Sequence, residues 1–182
     1  MITWDTTAAP TGGDWDTPGN WVGGVIPTAS NNVVIDLASA GTVTYSTGAS
    51  DAALSLSMTN ASLSLTGGSI ALRSGSSSLG SITLGPGASL SVATNASVTL
   101  QTNQTLTDSG SMTFSQGDTV NVSDSYGTGQ IVVNGSLSVT GTTFVNGGNT
   151  SQIVVNSGGH TPTTRSISIQ SPTGGVRNCR RW

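Results

Sequence analysis

Three tryptophans, Trp4, Trp15 and Trp21, stand among Asp5, Asp14 and Asp16 in the opening segment of the chain. An exposed indole can stack on a sugar ring, and a neighbouring carboxylate can accept hydrogen bonds from its hydroxyls. Trp4, Trp15, Trp21, Asp14 and Asp16 are therefore the candidate ligand-binding set, with carbohydrate as the ligand. The competing reading makes the indoles packing volume that closes off a core. Large aromatics serve most often in packing, and that reading is favoured.

Asp108, Asp118 and Asp124 are a second set of carboxylates. Glycoside hydrolysis needs two carboxyl groups facing each other across a bond. Lyase chemistry needs a positive group beside them, and the stretch around these three has none. Each stands next to Ser or Gly, so solvated turn residues are expected. His160 is the sole histidine and stands in SGGHTPTT, with no second His for a metal pair. Serine is abundant but forms no nucleophile elbow. The single cysteine, Cys179, excludes an internal disulfide. No catalytic residue, metal or cofactor is expected. Asn-x-Ser/Thr triplets at Asn60, Asn95, Asn103, Asn121, Asn134 and Asn149 follow from a composition rich in those residues. TVT at 42–44 stands alone, without the aligned T-x-T rows of an ice-binding face.

The surface carrying these residues is unusual. Of 182 residues, 7% are charged, the net charge is −3, and Lys and Glu are missing altogether. Soluble domains carry about 25% charged residues, so here hydroxyl and amide groups must supply solubility. Residues 1–164 contain only Arg73, which argues against nucleic acid as a partner. No apolar run approaches the ~20 residues that span a bilayer, so membrane insertion of this segment is not expected. Met1 leads straight into ITWD, without a basic or apolar leader. A secreted setting would place the signal outside this chain.

The elements that position these residues are strands. LSLSM (54–58), SLSL (62–65), SIAL (69–72), SITL (81–84), SLSV (89–92), SVTL (97–100), SMTF (111–114), TVNV (119–122), SLSV (136–139) and SISI (166–169) alternate polar with apolar. Period two predicts half-buried β-strands, and Gly, Asn, Asp and Pro punctuate them. No segment has helical spacing. Ile82, Leu90, Val98 and Leu106 recur at a step of eight, and Leu84, Val92 and Leu100 repeat it. TNASLSL at 59 and TNASVTL at 94 echo one another. Such a unit cannot bury its own apolar face, and stacked units share one core. Three strand-turn units would make one coil of a single-stranded parallel β-helix. The steps into Met112, Ile131 and Ile153 are irregular, so loops are expected to bulge there.

A solenoid has open ends that invite aggregation unless covered. Residues 1–36 are expected to be an N-terminal Trp-rich cap, 37–170 the coils, and 171–182 an irregular basic tail. TWD followed by GDWDTPGNWVGGVIPTASNNVVID (13–36) resembles the start of passenger regions in bacterial autotransporter and filamentous-haemagglutinin-like adhesins. The resemblance is close over about residues 3–36 and holds elsewhere only in repeat style. It implies an all-β, right-handed parallel β-helix in an extracellular or cell-surface setting. It also implies a non-enzymatic structural or adhesive role. The alternative is a carbohydrate-binding or polysaccharide-degrading domain on the same fold. The partners expected are host or matrix glycans, or a second copy joined through the solenoid ends.

Overall fold

The computed structural model describes residues 1–122, 129–140, 143–146, 152–156, 168–170 and 176–178. In chain order the strands are β1 (Ile2–Thr3), β2 (Gly12–Asp14), β3 (Asn32–Tyr45), β4 (Ser50–Ala53), β5 (Ser55–Leu65), β6 (Ser69–Leu72) and β7 (Ser76–Leu79). Then come β8 (Ile82–Leu84), β9 (Ser89–Val92), β10 (Ser97–Leu100), β11 (Thr105–Asp108), β12 (Ser111–Phe114) and β13 (Thr119–Val122). The last are β14 (Gln130–Val133), β15 (Ser136–Val139), β16 (Thr143–Asn146), β17 (Gln152–Val155), β18 (Ser168–Gln170) and β19 (Val176–Asn178). The one helical element among the described residues is a 3₁₀ turn, Pro18–Asn20.

The strands stack in parallel as a β-solenoid of about five turns. The step of eight walks round one coil. Ile82 lies on β8, Leu90 on β9 and Val98 on β10, and Leu106 on β11 returns to pair with Ile82. Strands β4, β6, β9, β12 and β15 form a five-stranded sheet, one face of the coil. The other two faces belong to one larger sheet, because β3 and β5 are long enough to turn a corner. The second half of β5 pairs with β8, and its Ser57 pairs with Ser78 of β7.

Alternation puts every second side chain inside. On the five-stranded face, Ile70, Leu90, Met112 and Leu137 form one buried column. Leu72, Val92, Phe114 and Val139 form the next. Burying each such side chain contributes about 1.5–3 kcal/mol before chain entropy is subtracted. The outward rows are Ser69, Ser89, Ser111 and Ser136, then Ala71, Ser91, Thr113 and Ser138. Small hydroxyl side chains keep their hydration there, so the alternation sets both core and surface.

The boundary expected at 36/37 falls inside β3, a single strand of 14 residues. Its outer edge pairs with β1 and β2, and its inner edge with β5. The tail expected to be irregular contains β19, antiparallel to β18. Residues 54–58 and 62–65, read as two strands, fall from Ser55 onward on one continuous strand, β5, with Leu54 just before it. SISI at 166–169 lies only partly within the described residues, where Ser168–Gln170 is β18.

Leu90→Ala is expected to cost about 2–5 kcal/mol, because the cavity opens between Ile70 and Met112. Its neighbour Ser91→Ala, on the outward row, should shift stability by no more than about 0.5 kcal/mol. Chemical denaturation of the two variants checks the assignment of inside and outside.

Candidate functional site

The opening segment folds back along the outer edge of β3. Ile2 and Thr3 pair with Val33 and Val34, and Trp4 N–H continues the ladder to Val34 O at 2.8 Å. Gly12–Asp14 pairs with Thr42–Thr44, and Trp15 N–H donates to Thr44 O at 2.8 Å. Gly12 has φ of 103°, and a Cβ there would stand 2.0 Å from Thr42 O. Glycine is thus what lets β2 approach β3.

These ladders bring the three indoles together. Trp4 and Trp15 each meet Trp21 edge to face, at centroid distances of 4.8 and 4.9 Å. Trp21 Nε1 donates to Trp15 O at 2.7 Å, and Trp4 Nε1 donates to Ala9 O at 2.9 Å. Trp15 Nε1 is buried without an acceptor among the described residues. All three indoles are at most 2% exposed and belong to the same apolar core as the coils. Their ring faces are taken up by one another and by the core, so none is open for a sugar to stack on. The expected partnership of Trp4, Trp15 and Trp21 with carbohydrate has no platform in this geometry.

The two candidate carboxylates are also engaged. Asp14 Oδ1 accepts from Asp16 N–H at 2.8 Å, and Asp14 Oδ2 accepts from Ser46 Oγ at 3.3 Å. Asp16 Oδ2 accepts from Thr47 Oγ1. Asp5 Oδ1 accepts from Thr7 and Ala8 N–H, a turn role. Asp16 leads to a group that sequence reading missed. Asp51 of β4 lies within hydrogen-bonding reach of Asp16, and the phenol of Tyr45 faces both acids. Burial and then Asp16 hold the Asp51 carboxyl above the usual carboxylate range. Burial and then Asp51 push the Tyr45 phenol up to about 12.

The later carboxylates part ways. Asp118 is buried and rivets two turns: Oδ1 accepts from Ala96 N–H at 3.0 Å and Oδ2 from Ser115 N–H at 2.7 Å. The turn role is as expected, but the carboxylate is buried rather than solvated, because both oxygens are taken up by backbone N–H groups. Asp108 instead occupies an inward position of β11, between Leu84 and Val133. It is fully buried; Oδ1 accepts from Gly110 N–H at 2.9 Å, and Oδ2 has no partner among the described residues. Burial holds both carboxyls above the usual range, against the backbone N–H groups that oppose it. Asp124, His160 and Cys179 lie outside the described residues. Of the Asn-x-Ser/Thr positions, Asn60, Asn95 and Asn103 have φ of 51°, 63° and 62°. Asn tolerates this left-handed turn geometry better than most residues do.

Trp21→Ala removes the indole that both others touch and is expected to cost about 3–5 kcal/mol. Acrylamide quenching of the remaining tryptophans should rise with it. For Asp108, the folded protein keeps a proton where the unfolded chain has lost it. Its stabilising contribution is complete below the ordinary carboxylate pKa and is lost as pH rises through the raised folded value. Asp108→Asn should therefore match the parent protein in acid and exceed it at neutral pH, on the order of 1–3 kcal/mol. Denaturation series across the acid-to-neutral range measure this.

No family model, curated protein or solved structure matches the chain, so its own geometry must carry the functional reading.

Proposed function

We propose that this chain is a non-enzymatic structural and adhesive module of an exported bacterial surface protein. The observation that carries the reading is the five-stranded face. Its outward rows run Ser69, Ser89, Ser111, Ser136 and Ala71, Ser91, Thr113, Ser138 in register across successive coils. No side chain in them is longer than Thr and none is charged, so the face is flat and dense in hydroxyls. Strand spacing repeats these groups every ~4.8 Å. A rigid periodic surface of that kind suits many weak hydrogen bonds to a glycan-rich matrix. In the same reading the tryptophan cluster is the N-terminal cap, covering the end of the core and the edge of β3. The scarcity of charge across the whole chain supports an extracellular setting.

The test displays the chain on a non-adherent bacterial host and measures retention on surfaces coated with matrix glycans. Retention is expected, and the triple variant Ser69→Val, Ser89→Val, Ser111→Val, which removes the hydroxyls without adding charge, should lose most of it while the melting temperature stays within a few degrees. Retention untouched by the triple variant would remove the hydroxyl face from the reading. Release of soluble sugar from a polysaccharide panel would replace a scaffold with an enzyme.

A further inference from the structure

An acid stands at the head of a core column. Asp51 pairs in register with Ile70, which pairs with Leu90, so Asp51 holds an inward position of the five-stranded face. Strand β4 is the last strand of that sheet, and the column ends there. The side chains acting on Asp51 are Asp16, a second acid, and Tyr45, a phenol. Tyr45 is fully buried at the end of its own strand, and its hydroxyl makes no hydrogen bond of good geometry while facing these acids. Asp16 arrives from the opening segment beside Trp15, and Thr47 Oγ1 donates to its Oδ2. Two carboxylates, a phenol oxygen and a hydroxyl oxygen are thus gathered at one spot.

Adjacent carboxylates repel when both are ionised, and a proton or a cation between them relieves this. The phenol adds a buried oxygen with no hydrogen bond of good geometry among the described residues. Hard oxygen donors of this kind suit Ca²⁺, which accepts six to eight oxygens in flexible geometry and completes its shell with water. Mg²⁺ demands a stricter octahedron. We propose that Asp16 and Asp51, with Thr47 Oγ1 and the Tyr45 hydroxyl, form a binding site for a divalent cation of the calcium class at the N-terminal end of the solenoid. With two carboxylates, its affinity falls among weak extracellular sites, with Kd on the order of 10⁻⁴–10⁻³ M. The bound ion would tie the opening segment, through Asp16, to the first strand of the five-stranded face, through Asp51. The site stands independently of the adhesive reading.

The test is titration of the whole chain with Tb³⁺, reading emission sensitised through Tyr45 and neighbouring Trp15. Saturable emission is expected, displaced by millimolar Ca²⁺, with a Ca²⁺-dependent rise in melting temperature. Asp51→Asn and Asp16→Asn should each weaken Ca²⁺ competition at least tenfold and abolish the rise. Asp36→Asn removes an exposed carboxylate on β3 and should change neither. Asp16→Asn leaves β4 intact, so it remains decisive if Asp51→Asn fails to fold. Emission that Ca²⁺ does not displace would overturn the site. So would equal Ca²⁺ competition in the Asp16→Asn and parent proteins, or equal losses from Asp36→Asn.

Discussion

The structure depends on one constraint: parallel strands stacked in register, coil upon coil. In that arrangement each residue meets its counterpart one coil away, so a column is only as sound as its least suitable member. The ladder does not stop at the corners. Ser89 N–H bonds to Gly68 O, Ser111 N–H to Ala88 O, and Ser136 N–H to Gly110 O, at 2.9 to 3.0 Å. A side chain at such a corner must leave room for the carbonyl beneath it. At Gly110 a Cβ would stand 2.1 Å from Ala88 O, so the coil can close only with glycine there. Corner chemistry and column chemistry are therefore two sides of the same register.

The polar residues that break the columns show what the register tolerates. Ser77 takes an inward place on β7, and its Oγ accepts from Leu56 N–H at 3.1 Å. That bond falls where β5 and β7 share only the Ser57–Ser78 pairing, so the hydroxyl meets a backbone donor near a thin part of the ladder. Asp118 does similar work between turns, with both carboxylate oxygens accepting backbone N–H groups. Asp108 differs, because one oxygen is left without a partner inside an aliphatic column. A buried polar atom without a partner is costly. The first two exceptions therefore repair the ladder, whereas the third strains it, and burial raises both carboxyls, so Asp118 and Asp108 each tie folding to proton uptake.

Much of this was legible because coil geometry is a local repeat. Ile82, Leu90, Val98 and Leu106 announce three strands and a return to the starting face. Strand β7 was missed because Ser77 fills the place where alternation calls for an aliphatic residue. The continuity of β5 was missed because Asn60, with φ of 51°, interrupts the pattern at a corner where the strand turns rather than ends. The burial of the indoles agrees with the favoured reading of packing over sugar stacking. The grouping of Asp16, Asp51 and Tyr45 had no local signal, since SDAA reads as turn chemistry until Asp51 is set in register with Ile70. Contacts made by winding the chain, rather than by spacing within it, stay hidden from period counting.

The two ways of ending the columns follow from how much cover each receives. An interior residue has a neighbour above and below, but a terminal residue has a neighbour on one side only. At Tyr45 the opening segment lies directly over the column, because Trp15 N–H bonds to Thr44 O and the indole is wholly buried. A large ring can close that column without meeting water. At Asp51 no further strand stacks beyond β4 among the described residues, and the side chain is only half-buried. An aliphatic residue there would leave apolar surface beside an unpaired strand edge, the combination that recruits other chains. A carboxyl group keeps that edge hydrated, and Asp16 of the opening segment acts on it there. Tyr45 and Asp51 thus end their columns differently, one wholly buried beside the opening segment and the other half-buried at the last strand of its sheet.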